Sequence, residues 1–316
     1  MPKTLIIKNR IKKFNKQIQV SGDKSLSIRW VLLASQAIGK SKGYNLLMSE
    51  DVLAAIDSIK KLGIKVRMQK NYCEIVGNGI NGFKYKKNLI LDAKNSGTLA
   101  RLILGLLIKT PKKIKIVGDK SLSKRDFSRV TIPLGEFGVK FSYKIKNKLP
   151  LTILGTPSTE GIKYLENRGS AQCKSSVMLA ALNASGTTSI KAKKSRNHSE
   201  LLFKYLKIPI KVRKTKKFDF IDIKRPKKIN AFNYQIPGDI SSSAFFMVLT
   251  TLANDSKLLI KNVNINPSRV GVITILKKMG AKIILKNQKN YRGEKISDIL
   301  IKSSKKLKAI NCPVEL

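Results

Sequence analysis

The chain has 316 residues, 42% of them hydrophobic, with 64 basic against 19 acidic side chains and a formal charge of +45. That hydrophobic share supports packed cores and excludes a disordered basic tail, while the length points to two domains. A single histidine, His198, excludes any site that needs two, and leaves a catalytic triad only that one residue to use.

Cys73, Cys173 and Cys312 lie far apart with no Cys-x-x-Cys pair, which argues against zinc or disulfide exchange and for a reducing, cytoplasmic setting. The first ten residues lack an apolar core and a small-residue cleavage site. The longest apolar stretches, such as Leu99 to Ile108, are too short to span a bilayer, so neither a signal peptide nor a membrane partner is expected. The 12 arginines and 52 lysines are scattered through every part of the chain. Aromatics make up only 6%, so the charge reads as solvated lysine-rich faces whose field draws small anions, and no nucleic-acid partner is expected.

In chain order, the turn Gly22-Asp-Lys-Ser25 opens into an apolar helix from Leu26 to Ala37. Ser49 then caps a second helix, with Glu50 and Asp51 in its first turn and Val52, Ile56 and Ile59 on one face. Gly63 stops it before the alternating strand Ile64-Lys-Val66. The same order returns with Asn95-Ser-Gly-Thr98 before a helix over 99–107, a strand at Lys113–Val117, and Phe137-Gly-Val-Lys-Phe141. A third copy has Gly169-Ser-Ala-Gln172, a helix over 175–182 and the looser ending Leu206-Lys-Ile-Pro-Ile-Lys-Val212. A fourth has Gly238-Asp-Ile-Ser241, a helix over 243–252, a strand at 257–261 and Met279-Gly-Ala-Lys-Ile283.

The unit is therefore turn, helix, strand, helix, strand, with a further strand in some copies, and its repetition predicts an α/β repeat architecture. Units packed about a pseudo-symmetry axis aim equivalent helix starts the same way. Each start offers unpaired N–H groups and a partial positive charge, so several around one cleft make an anion site. Lys24 and Arg29, Arg101, and Arg168 with Lys174 stand beside the first three.

Five segments then carry a resemblance: Gly22-Asp-Lys-Ser-Leu-Ser-Ile-Arg29, Asn95-Ser-Gly-Thr98 with Arg101, Gly118-Asp-Lys-Ser-Leu-Ser-Lys-Arg125, Ser170-Ala-Gln172 and Ser195-Arg-Asn-His-Ser-Glu200. In that order and spacing, over nearly the whole chain, they resemble the 5-enolpyruvylshikimate-3-phosphate synthases, closest to the bacterial class II branch. The resemblance implies an α/β enolpyruvyl transferase-like fold of βαβαββ units in two domains. Residues 21–237 would form a three-unit domain, and 1–20 with 238–316 a second, incomplete one. It implies transfer of the carboxyvinyl group of phosphoenolpyruvate to the 5-hydroxyl of shikimate 3-phosphate, without metal or organic cofactor, by a monomer when complete. Lys24 matches the catalytic lysine that contacts both substrates. Ser25, Arg29, Ser170, Ala171, Gln172 and Arg196 match contacts to shikimate 3-phosphate, whereas Gly97 and Arg125 match contacts to phosphoenolpyruvate. His198 is expected to be exposed or capping.

Ile28, Ser21, Ser96 and Asp126 depart from the residues usual in the family, and Asp126 could compete with substrate for Arg125. Repeat starts at 22, 95, 169 and 238 are spaced by 73, 74 and 69, so a fifth would open near 310. The aspartate that takes the 5-hydroxyl proton in the family, and further phosphoenolpyruvate contacts, have no counterpart here, and neither Asp239 nor Glu315 fits. The resemblance also implies that a complete enzyme carrying Gly97 is sensitive to glyphosate and that Gly97→Ala raises the inhibitory concentration.

Two alternatives are weaker. The UDP-N-acetylglucosamine enolpyruvyl transferases have asparagine after the lysine, where Ser25 stands, and a reactive loop cysteine absent from 110–126. A basic nucleic-acid-binding repeat protein would show a steep salt dependence. The expectation for these 316 residues alone is little or no turnover. A coupled phosphate-release assay with both substrates checks it, and robust turnover would overturn it.

Overall fold

The computed structural model describes residues 11–69 and 72–312, so the first ten residues and Glu315 lie outside the described residues. The described residues divide into two compact units, one running from Gly22 to Ile236 and the other combining residues 11–21 with residues 237–312.

After β1 (Asn15–Ile18), the Gly22–Ile236 unit opens with α1 (Lys24–Ser35), β2 (Ile38–Tyr44), α2 (Glu50–Lys61), β3 (Lys65–Met68) and β4 (Tyr72–Asn78). It repeats the order with β5 (Leu89–Asp92), α3 (Gly97–Leu106), β6 (Ile114–Val117), the short α4 (Lys120–Ser123), α5 (Ser128–Gly135), β7 (Lys140–Tyr143) and β8 (Leu151–Leu154). A third round gives β9 (Lys163–Glu166), α6 (Ala171–Ala181), β10 (Thr187–Lys193), α7 (His198–Tyr205), β11 (Ile210–Lys214), β12 (Phe218–Lys224) and β13 (Tyr234–Gln235). The remaining unit adds α8 (Ile240–Leu252), β14 (Lys257–Asn264), α9 (Gly271–Lys278), β15 (Lys282–Tyr291) and β16 (Glu294–Lys302) to β1.

Each round builds one four-stranded sheet with the same wiring: a parallel edge pair, then two antiparallel pairs. The fourth strand, present in only some copies on the sequence reading, is present in all four. One exchange breaks chain order. The strand before α1 is β1, yet it pairs in parallel with β14, while β13, the strand before α8, pairs in parallel with β2.

Helix endings follow the glycines. Gly63 and Gly280 take φ of +84° and +100°, and at both the N–H of the residue after the glycine returns to a carbonyl in the last turn of the helix, Ile64 to Ile59 and Ala281 to Leu276. The looser third ending has the same geometry without glycine, because Lys207 takes φ 56° while Ile208 N–H bonds the Phe203 carbonyl. Ser49 does occupy the start of α2, but its side chain makes no capping hydrogen bond. The expected cap is corrected: Glu50 and Asp51, both in the first turn, supply the favourable charge there instead.

Helices α1 and α6 are buried along nearly their whole length, as apolar helices with no solvent face must be. Helix α3 approaches α6 so closely that a Cβ on Gly105 would lie 2.1 Å from the Ser176 carbonyl oxygen. In the other unit, α8 packs Ile240 and Met247 onto Ile260, Ile299 and Ile301, but leaves Phe245 79% and Leu252 66% exposed.

Lys207 carries a side chain in a left-handed conformation that costs little only for glycine. Lys207→Gly is expected to raise the unfolding free energy by about 0.5–1 kcal/mol in urea titrations; an unchanged or lowered midpoint would show that the left-handed turn carries no strain.

Candidate active site

Three side chains start the three buried helices of the Gly22–Ile236 unit. The Asp23 carboxylate accepts the Leu26 N–H at 2.9 Å, the Ser96 hydroxyl accepts the Leu99 N–H at 3.2 Å, and the Ser170 hydroxyl accepts the Cys173 N–H at 3.3 Å. Capping satisfies one of the donors that each helix start leaves over, and the rest of the first turn keeps its positive end. Ser96, one of the four departures noted in the sequence, thus has a structural task.

Arg29 lies on α1 and is only 4% exposed. Its Nη1 donates to the Ser25 carbonyl at 3.0 Å, its Nη2 to Ser175 Oγ at 3.0 Å and its Nε to Ser199 Oγ at 2.8 Å. The two serine hydroxyls are 2.7 Å apart, so one guanidinium fastens the first turn of α1 to α6 and α7. Beside it, the fully buried Lys174 ammonium sits 2.6 Å from Glu200 Oε1, off the line of a good hydrogen bond, as a second link between α6 and α7.

Arg101 forms a second knot. Its Nη1 donates to Gln172 Oε1 at 2.9 Å and to the Gly97 carbonyl at 3.2 Å, and Gln172 Nε2 donates to Thr98 Oγ1 at 2.9 Å. The guanidinium lies 5.1 Å from the Phe127 ring centroid. Burial pulls its pKa below the usual arginine range, and Arg125 and Arg129 push the same way. A Cβ on Gly97 would come within 2.7 Å of Arg101 Nη1 and 2.9 Å of Arg125 Nη1, so a side chain there would push these guanidinium tips back from the start of α3.

The structure thus gathers Ser25, Arg29, Gly97, Arg125 and Gln172 around the starts of α1, α3 and α6. The first turn of α6 joins the two knots, Gln172 to Arg101 and Ser175 to Arg29, since residues three apart share a helix face. Ser170 N–H donates to buried Glu166 at 2.9 Å, which sets the loop that delivers Ser170 and Ala171. Lys24 opens α1 with its ammonium 3.5 Å from Asp51 Oδ2 and 45% exposed, a weak pairing that an anion could replace. Arg196 is exposed in the loop between β10 and α7.

Two expectations are corrected. His198 is the first residue of α7 and is buried, not exposed; Asn197 occupies the capping position. Asp126 does not turn to Arg125: its carboxylate accepts from the Ser128 N–H at 2.8 Å and the Ser128 hydroxyl at 2.6 Å at the start of α5, and those bonds hold its pKa below the usual range. Arg101 lies inside one of the resembling segments and Lys174 and Ser175 just beyond another, but sequence reasoning assigns them no binding role, because Gln172, Glu200 and Arg29, their partners, are remote in sequence.

The sequence matches the family described as EPSP synthase (3-phosphoshikimate 1-carboxyvinyltransferase) over residues 8–314. A 3-phosphoshikimate 1-carboxyvinyltransferase of Thermoanaerobacter sp. strain X514 is 39% identical over 289 residues, covering 91% of this chain and 67% of that relative. One from Ruthia magnifica is 41% identical over 300 residues, 95% of this chain and 67% of its own length. The structure of EPSP synthase from Acinetobacter baumannii superposes with a TM-score of 0.86 at 35% identity, over 96% of this chain and 68% of that one. The chain belongs to the EPSP synthase family.

Lys174→Ala would leave the Glu200 carboxyl, at 4% side-chain exposure, without its ion-pair partner. The expected loss of stability is about 3–5 kcal/mol in denaturant unfolding. The double change Lys174→Met with Glu200→Leu should lose less. A single-variant loss below about 1 kcal/mol would mean that the buried pair is not coupled to the fold.

Proposed function

We propose that the Gly22–Ile236 unit holds shikimate 3-phosphate at the starts of α1 and α6 and receives phosphoenolpyruvate beside α3. The family's reaction makes a bond between the 5-hydroxyl oxygen of shikimate 3-phosphate and the central carbon of phosphoenolpyruvate. The bond from that carbon to the phosphate oxygen breaks, inorganic phosphate departs, and the hydroxyl proton, taken first by the family's aspartate that has no counterpart here, ends on phosphate or solvent. Both substrates are anions, so the protein's task is to gather and neutralise charge.

In this reading the first-turn N–H groups of α6, with Ser170, Ala171 and Gln172, take the phosphate and ring of shikimate 3-phosphate. Ser25 adds its hydroxyl, Arg29 supplies positive charge at the first turn of α1, and Arg196 adds a second guanidinium from its loop. Gly97 and Arg125 receive phosphoenolpyruvate. Lys24 exchanges its loose contact with Asp51 for the substrates and stabilises charge during addition and elimination. The observation that carries the assignment is the pair of knots on α6, because Arg29 and Arg101 fasten the three helix starts to one another. We also infer a cytoplasmic protein, monomeric when complete, whose reaction needs no metal or organic cofactor. Among the described residues no helix is long and apolar enough to cross a membrane.

Calorimetric titration of the chain tests the phosphate subsite. Shikimate 3-phosphate should bind saturably, and shikimate, lacking the charge-assisted phosphate contacts, at least about tenfold more weakly. Gln172→Ala should narrow that gap. Equal affinity for the two ligands would overturn the assignment.

A further inference from the structure

The sheet formed by β11, β12, β10 and β9 turns one face inward, with Ile190 and Ile221 2% and 1% exposed, and its other face toward solvent. The strand register sorts the outward residues into rows. One row runs Arg213, Phe220, Lys191, Leu165, and the next runs Lys211, Asp222, Ser189, Lys163. Beyond the first row, Phe218 stands opposite Lys193. Residues scattered over some sixty positions of sequence thus meet on one surface, bounding a shallow cavity of about 590 Å³.

Lysine enrichment alone accounts for exposed ammonium groups, but not for the apolar part of this face. Leu165 is 56% exposed, and two half-buried phenylalanines stand on a central strand where solvent-facing polar residues are the rule. Both rings carry cations. Arg213 lies over Phe220 at 4.1 Å from its centroid, and Lys191 lies 4.9 Å from the Phe218 centroid and 5.8 Å from that of Phe220. The first repeat shows what a neutralised version looks like. There the matching row is Arg67, Glu74, Lys42, so a carboxylate stands between the two cations where the third repeat has Phe220. The single acid of the outward rows, Asp222, accepts a 2.6 Å hydrogen bond from Ser189.

We infer that this sheet face binds single-stranded nucleic acid, with bases stacking on the Phe220–Arg213 pair and on Phe218, and phosphates meeting Lys163, Lys191, Lys193 and Lys211. Flat π surfaces interleaved with cations on an open four-stranded sheet are what a strand of unpaired bases requires: rings and guanidinium groups stack any base, and lysines follow the backbone. The expectation from sequence that the protein has no nucleic-acid partner rested on scattered basic residues and few aromatics, and the register removes that ground for this face. The inference does not depend on the enzymatic reading.

Fluorescence anisotropy with a fluorescein-labelled 15-nucleotide oligouridylate at about 0.15 M salt tests it. Saturable binding is expected, weakening steeply as salt rises. Phe220→Ala, which leaves the charge unchanged, should weaken it about fivefold or more, and Phe220→Trp should restore it. Arg213→Glu with Lys191→Glu should weaken it far more than Lys113→Glu with Lys115→Glu, an equal charge change at and beside the exposed face of β6. Thermal melts that match wild type establish that each variant is folded. Equal losses in the two charge-reversed pairs would mean diffuse attraction and overturn the inference. So would an unaffected Phe220→Ala, inorganic polyphosphate competing as well as oligouridylate of equal charge, or no saturable binding.

Discussion

A buried guanidinium is the constraint on which the Gly22–Ile236 unit turns. Arg29 cannot be desolvated without partners, because an unpaired charge inside a protein costs far more than a fold of this size can spare. Its partners are the Ser25 carbonyl and the hydroxyls of Ser175 and Ser199, on three different helices. Satisfying one side chain therefore fixes α1 against α6 and α7. Lys174 and Glu200, the immediate neighbours of Ser175 and Ser199, repeat the link with a full ion pair. Hydrophobic burial gathers these helices, but it does not by itself set which turn faces which; directional bonds from buried charges do.

That placement is what makes the helix starts useful. Any α-helix start attracts an anion weakly, and a single one is weak evidence of a site. Here α1, α3 and α6 are held together near their first turns, with Arg101 tying Gly97 of α3 to Gln172 of α6. Gly97 then decides how close the cations can come, since even a methyl group would meet both Arg101 and Arg125. Positive charge is thus concentrated at the starts of α1, α3 and α6, and the lowered pKa of Arg101 reflects the burial this requires.

Much of the repeat was legible in the sequence because it is written in local signals. Gly63, Gly138 and Gly280 mark helix ends through their left-handed backbone, and Asp23, Ser96 and Ser170 mark helix starts through their caps. Where the signal was weaker the geometry persisted, as at Lys207, where the end of α7 imposes the glycine conformation on a lysine. What could not be read was long-range. The exchange of β1 and β13 depends on pairing between strands 242 and 191 residues apart, Asn15 with Lys257 and Tyr234 with Gly43. The family segments pointed to Arg29 and Gln172, yet their partners Ser199 and Arg101 are 170 and 71 residues away. Ser49 and His198 misled for a related reason: residue type suggested a cap and an exposed side chain, but tertiary packing set their environments.

The role of these helix starts depends on where the sugar phosphate binds. A crystal structure of the chain with shikimate 3-phosphate bound is the most direct measurement. The phosphate should lie against the first turn of α6, within hydrogen-bonding reach of Ser170 and Gln172, with the ring beside Ser25 and the positions of Arg29, Ser175 and Ser199 unchanged. A ligand lodged on exposed lysines away from these helix starts, or one that binds only after the Arg29 contacts come apart, would contradict it.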